Sequence, residues 1–198
     1  QTKQKFNDFQ MHIEWQVPTN ITGESQSRGN SGIFLQGMYE VQVLDCYNNP
    51  TYVNGQTGSI YKQSIPLANA MRKPGEWNVH DIIYTAPTFK EDGSYRTHPT
   101  VTVIQNGVVL QNHTTILGTT EWIGFPQVKK HGAGLSSCRA TAILASRSAS
   151  VISGFVSYRR NVLIVIRRDG LDIKLIPFSL NNRLVLYERN IFFYSTKF

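Results

Sequence analysis

The 198-residue chain carries 20 Lys+Arg against 13 Asp+Glu, a formal charge of +7, with two cysteines. That length fits one domain with a sizeable core; the cysteines resemble no zinc site and no apolar run reaches membrane-spanning length. The charge does not indicate a nucleic-acid module, because residues 1–134 hold 10 basic and 10 acidic side chains whereas residues 135–198 hold 10 basic and three acidic ones, and the aromatics of the first part are not interleaved with Lys or Arg.

No secretory signal opens the chain; residues 1–9 lead straight into a strand, as in a processed or excised fragment. In Phe9-Gln10-Met11-His12-Ile13-Glu14-Trp15-Gln16-Val17 the period of two sets Met11, Ile13, Trp15 and Val17 on an apolar face and His12, Glu14 and Gln16 on a polar one. Pro18 ends the strand, and residues 19–29 are polar and turn-rich. The stretch NSGIFLQGMYEVQVLDCYNN, residues 30–49, then predicts two strands joined at Gly37. In the second, Tyr39, Val41, Val43 and Asp45 share one side, and Glu40, Gln42 and Leu44 the other.

Residues 46–75 contain the turn signals NNP, NGQTG and KPG. This connection is long enough to predict a functional loop or rim, with a short strand over 56–61 and a helical turn over 64–71. Residues 76–85 predict another strand, 89–99 a polar excursion, and Asn106-Gly107 a hairpin between 101–105 and 108–111. Residues 113–125 are turn-like, and Trp122 reads as a packing residue. Short antiparallel strands, long polar loops and no convincing helical period predict an all-β sandwich or jelly roll. A concave sheet face bearing the polar sides of 12–16 and 40–42 would suit a carbohydrate.

Gly29-Asn30-Ser31-Gly32-Ile33-Phe34-Leu35-Gln36-Gly37 followed by Tyr39-Glu40-Val41-Gln42-Val43-Leu44-Asp45 resembles the signature of the 3-keto-disaccharide hydrolase family, also described as 3-keto-glycoside lyase/hydratase domains. Residues 9–17, 75–78 and 101–109 resemble three further motifs in the family's order, so the resemblance covers residues 6–134. It implies a concanavalin-A-like sandwich, incomplete at both ends here, in a periplasmic or secreted setting. The implied substrate is a 3-oxo sugar glycoside made by a partner sugar dehydrogenase.

A C3 ketone acidifies the C2 hydrogen, so a modest base suffices for loss of the C1 aglycone, with a donor or a divalent metal ion at the enolate oxygen. The resemblance makes Glu40 the first candidate acid/base or metal-ligating group and Glu14 the second, with His12 on the face of Glu14. Gln42 would orient a sugar hydroxyl, and Arg28, Asn30 and Ser31 would bind substrate from the loop edge. Asp45, of opposite parity to Glu40, joins only if the chain twists after Leu44, and Asn78 is a candidate at the rim. A noncatalytic carbohydrate-binding sandwich is the alternative.

After Gly134 the resemblance stops. The family continues with a GPIxLQxHGxPVxFRNIWIRxL-like strand pair, where this chain has LSSCRATAILASR. One legal set of codons for residues 134–158, read from the last base of codon 134, encodes PIKLQGHGNPGKPISFRNIWIREL, the missing ending. Residues 1–134 therefore read as a partial glycoside-active domain and 135–198 as an out-of-frame basic tail. The alternative is a divergent C-terminus with strands at 162–166, 171–176 and 184–193. A sandwich without its closing strands is expected to expose backbone edges and an apolar face.

Overall fold

The computed structural model describes residues 2, 4–139, 145–153, 162–165 and 174–177. Its strands are β1 (Phe9–Gln16), β2 (Ser31–Leu35), β3 (Tyr39–Val43), β4 (Trp77–Thr85), β5 (Thr88–Phe89), β6 (Tyr95–Thr97), β7 (Thr100–Gln105), β8 (Val108–Thr115), β9 (Ser137–Arg139), β10 (Ala145–Ser153), β11 (Val162–Val165) and β12 (Lys174–Pro177). A five-stranded sheet runs β10-β1-β4-β7-β8 and a three-stranded sheet runs β3-β2-β9, every pair antiparallel. The apolar faces of the two sheets meet in one core, where Phe9, Met11, Ile13, Trp15, Ile82, Tyr84 and Val103 from the first pack with Ile33, Leu35, Tyr39, Val41 and Val43 from the second. The all-β sandwich expected from the alternation is the observed fold.

Two tight turns set the registers. Asn106 (φ 52°) and Gly107 (φ 84°) close the β7–β8 hairpin, and Gln36 (φ 50°) and Gly37 (φ 75°) close β2–β3. Two consecutive positive φ values match the right-handed twist of the flanking strands, so the alternation of each strand starts in a fixed phase. In β7 that phase buries Val101 and Val103; a slip of one residue would turn them outward.

The connection over 46–75 forms neither the strand nor the helical turn expected of it. Ile60 makes only isolated bridges to Val41 and Ser64, and the one helical piece is a short 3-10 turn at Val53–Gly55. Its stability comes from backbone bonds onto β3, with Gly58 N–H donating to Gln42 O (2.8 Å) and Gln42 N–H to Ser59 O (3.0 Å). The polar excursion contains the β5–β6 hairpin. Trp122 is not a packing residue: it is 79% exposed.

The expected open edges are paired in this structure. β9 lies on β2, with Cys138 opposite Ile33 and Arg139 opposite Gly32, and β10 lies on β1 from Phe9↔Ser153 to Gln16↔Ala145. Ladder hydrogen bonds use backbone groups that every non-proline residue carries, so an edge can be covered by a segment of quite different sequence. β11 and β12 form a separate hairpin. The tail strand expected over 184–193 lies outside the described residues.

Candidate functional site

β3 turns Tyr39, Val41 and Val43 into the core, which leaves Glu40 and Gln42 on the outer face of the three-stranded sheet. The Glu40 side chain lies across Gly32, where a Cβ would overlap its carboxylate oxygen Oε1. The absent Cβ at position 32 thus leaves the space that the Glu40 carboxylate occupies. Glu40 N–H donates to Thr120 Oγ1 (2.9 Å) and Tyr61 N–H donates to Glu40 O (3.1 Å), so two loops are tied to β3 at this one residue.

Those loops border an open cleft of ≈ 420 Å³ lined by Tyr52, Asn54, Tyr61, Lys62, Gln63, Glu121, Gly124, Phe125 and Pro126, with Glu40 outside the lining. The Tyr52 and Tyr61 hydroxyls are 2.7 Å apart. Burial raises the Tyr52 phenol above its ordinary value, the Tyr61 hydrogen bond adds to the rise, and the negative charge of Glu40 adds further. Tyr52 therefore stays protonated at neutral pH, beside the carboxylate. None of the cleft tyrosines was among the sequence candidates. Their only signal was the length of the 46–75 loop that carries them.

The other candidates around β3 serve that loop scaffold. Gln42 is 1% exposed, and its Nε2 donates to Gln26 Oε1 (3.0 Å) and contacts Asn30 Oδ1 (3.4 Å). Its Oε1 has no partner among the described residues. Asn30 Nδ2 donates to Gln26 O (2.9 Å). Asp45 is fully buried and accepts Arg28 Nε (2.6 Å) and Tyr47 N–H (3.1 Å), an ion pair that closes the chain after β3. Ser31 has the parity of Ile33 and Leu35 and is buried, on the core side of β2 rather than the loop edge. Asn78 is not at a rim. It sits inside the sandwich on β4, where its Oδ1 accepts Arg72 N–H (3.0 Å) and Asn106 Nδ2 (2.9 Å).

His12 and Glu14 are elsewhere. They lie on the outer face of the five-stranded sheet, the side of the sandwich turned away from Glu40, because β1 and β3 belong to different sheets whose apolar faces meet. There His12 Nδ1 pairs with Asp81 Oδ1 at 2.6 Å, and its Nε2 stands 3.6 Å from Glu14 Oε1. The Asp81 hydrogen bond is the main cause that raises the His12 pKa, against an opposing contribution from burial. The structure thus does not bring Glu14 and His12 together with Glu40.

His80 also escaped the sequence candidates. It is fully buried on β4, and Trp15 Nε1–H donates to its Nδ1 at 2.9 Å. Burial lowers its pKa to about 4, so the ring is neutral and carries its proton on Nε2. Among the described residues no three His, Cys, Asp or Glu side chains are grouped to hold a metal ion. The divalent ion that the resemblance allows therefore finds no such ligand set among the described residues.

These elements define an all-β sandwich domain with a carboxylate beside an aromatic cleft. Within that class, the chain belongs to the 3-keto-alpha-glucoside-1,2-lyase-like domain family, whose model matches residues 1–135. It is similar to a candidate glycosyl hydrolase from Parabacteroides distasonis of known crystal structure, with 89% identity and a TM-score of 0.71 over 76% of this chain. The chain spans 64% of the length of that relative. A second candidate glycosyl hydrolase from the same organism is 18% identical with a TM-score of 0.51, over 76% of this chain and 73% of that one, and shares the fold. No curated protein matches the chain.

Proposed function

We propose that the protein cleaves 3-keto-glycosides, with Glu40 as the acid/base group. The observation that carries this is a carboxylate laid over Gly32 whose charge reaches the phenol of Tyr52, the partner of Tyr61 in the wall of a cleft of small-ligand size. Glu40 takes the C2 proton, and the C–H electrons form the enolate of the C3 ketone. In that Tyr52–Tyr61 pair one hydroxyl donates to the other, leaving one proton to donate to the enolate oxygen. Collapse of the enolate forms the C1=C2 bond and breaks the C1–O bond. The departing oxygen takes up the proton that Glu40 carries. Water then adds, hydroxyl to C1 and proton to C2, for net hydrolysis.

The C3 ketone has to be supplied by an oxidation, so a sugar dehydrogenase is the expected functional partner, and a periplasmic or secreted setting suits glycoside degradation. The test is incubation with a 3-keto-glucoside in D2O. Aglycone release with deuterium at C2 of the recovered sugar supports the reaction, whereas saturable binding without release leaves a carbohydrate-binding module.

The same face supports the proposal that residues 135–198 are out of frame. In the β9 register, the leucine of the alternative PIKLQ shares two bases with codon 138, opposite core residue Ile33, and its glutamine shares two with codon 139, opposite Gly32. The apolar residue then meets the core, and the amide joins the face of Glu40. An unbroken frame through codon 134 in independent isolates would sink this.

A further inference from the structure

We infer that the cleft beside Glu40 is the leaving-group subsite and that it takes a flat aromatic aglycone packed against Phe125; this rests on the reaction proposed above. The loop that carries Phe125 is anchored firmly at its base. Thr119 N–H donates to Gln127 O (2.9 Å), Glu121 Oε1 accepts Thr119 Oγ1 (2.7 Å) and Lys129 Nζ (3.1 Å), and Thr120 N–H donates to Met38 O (2.9 Å). Thr120 also accepts the Glu40 N–H. A segment fixed this well at its base still holds Phe125 84% exposed at the mouth of the cleft. An aromatic ring held in water by a constrained loop is a ready surface for a ligand.

The class of ligand follows from which polar groups are already engaged. Lys62 Nζ donates to Trp122 O (2.5 Å), Gln63 donates to Gly118 O (3.0 Å) and accepts Leu117 N–H (2.9 Å), and one tyrosine hydroxyl donates to the other, leaving one phenol proton and the Asn54 amide as the polar groups of the walls not held in this way. With Glu121 held as above, the walls offer an incoming group chiefly the rings of Tyr52, Tyr61, Phe125 and Pro126. A second sugar would find few unengaged donors and acceptors for its hydroxyls and would lose hydration on entry. A flat aromatic group loses none and gains ring contact.

The experiment is calorimetric titration of the full chain with unoxidised phenyl glucoside and methyl glucoside, beside kcat/KM for the phenyl and methyl 3-keto-glucosides. The phenyl compound is expected to bind about tenfold tighter, and Phe125→Ala, at an exposed position that leaves the core intact, is expected to erase that preference. Equal binding of the two glucosides, or a preference that survives Phe125→Ala, overturns the subsite even where both 3-keto compounds are cleaved. Tighter phenyl binding that depends on Phe125, with neither 3-keto compound cleaved, overturns the reaction and the leaving-group role with it, and leaves an aryl-glycoside cleft.

Discussion

The two outer faces of the sandwich carry the same kind of pattern and differ in what lies over it. On the three-stranded sheet, Glu40 is crossed by two anchored loops that shape a cleft. On the five-stranded sheet, His12, Glu14 and Asp81 form a partly exposed network along the strands, with side chains 33%, 20% and 42% exposed and no loop hydrogen-bonded across them among the interactions described. A carboxylate on a strand becomes a candidate catalyst through its covering loops, which can hold partner groups in place around it.

The largest expected difference is kinetic. Glu40→Gln should lower aglycone release by about 10³-fold, the range for a lost general base, while Glu14→Gln should leave it within about twofold; steady-state kinetics on a 3-keto-glucoside checks both. Reversal of that ranking would move the site to the other sheet.

Next in size is the pH response of the core. His80 has a folded pKa of about 4 against 6.5 unfolded. Its contribution is present above pH 6.5 and lost as pH falls through 4, and the shift corresponds to about 3 kcal/mol. Urea midpoints measured between pH 7 and 4 should fall accordingly, and the fall should shrink in a variant that replaces His80 with Gln.

Gly32→Ala sharpens the contrast further. The added Cβ displaces the Glu40 carboxylate, a flexible side-chain end, without touching the five-stranded sheet. Turnover should drop by about 10²-fold, as for a misplaced catalytic group, with the thermal midpoint little changed. The smallest effect belongs to His12. Its raised pKa gives stability that is fully present below pH 6.5 and lost as pH rises through the folded value. His12→Gln should therefore be felt slightly at pH 5.5 and hardly at pH 8, and turnover should not change.

The strands were legible because alternation reports which side of a strand meets the core, and β1, β4 and β7 follow it residue by residue. Alternation does not report which sheet a strand joins, which is why Glu14 and Glu40 looked as though they shared a face. That assignment depends on pairing between β1 and β4, 61 residues apart at the Gln16↔Trp77 pair. Asp45 and Asn78 were legible as polar residues, but nothing local distinguishes a buried hub from a ligand when the partners are Arg28 and Asn106, distant in sequence. Tyr52, Tyr61 and Phe125 were invisible for a related reason. They sit in irregular loops whose positions are set by bonds to Glu40 and Lys62, and no periodicity marks them.

Hydrogen–deuterium exchange of the chain with and without a 3-keto-glucoside tests the location of the site most directly. The account predicts ligand-dependent protection in residues 39–63 and 117–127 and none in 9–16 and 77–85. Protection confined to 9–16 and 77–85 would contradict it and place the chemistry on the face of His12 and Glu14.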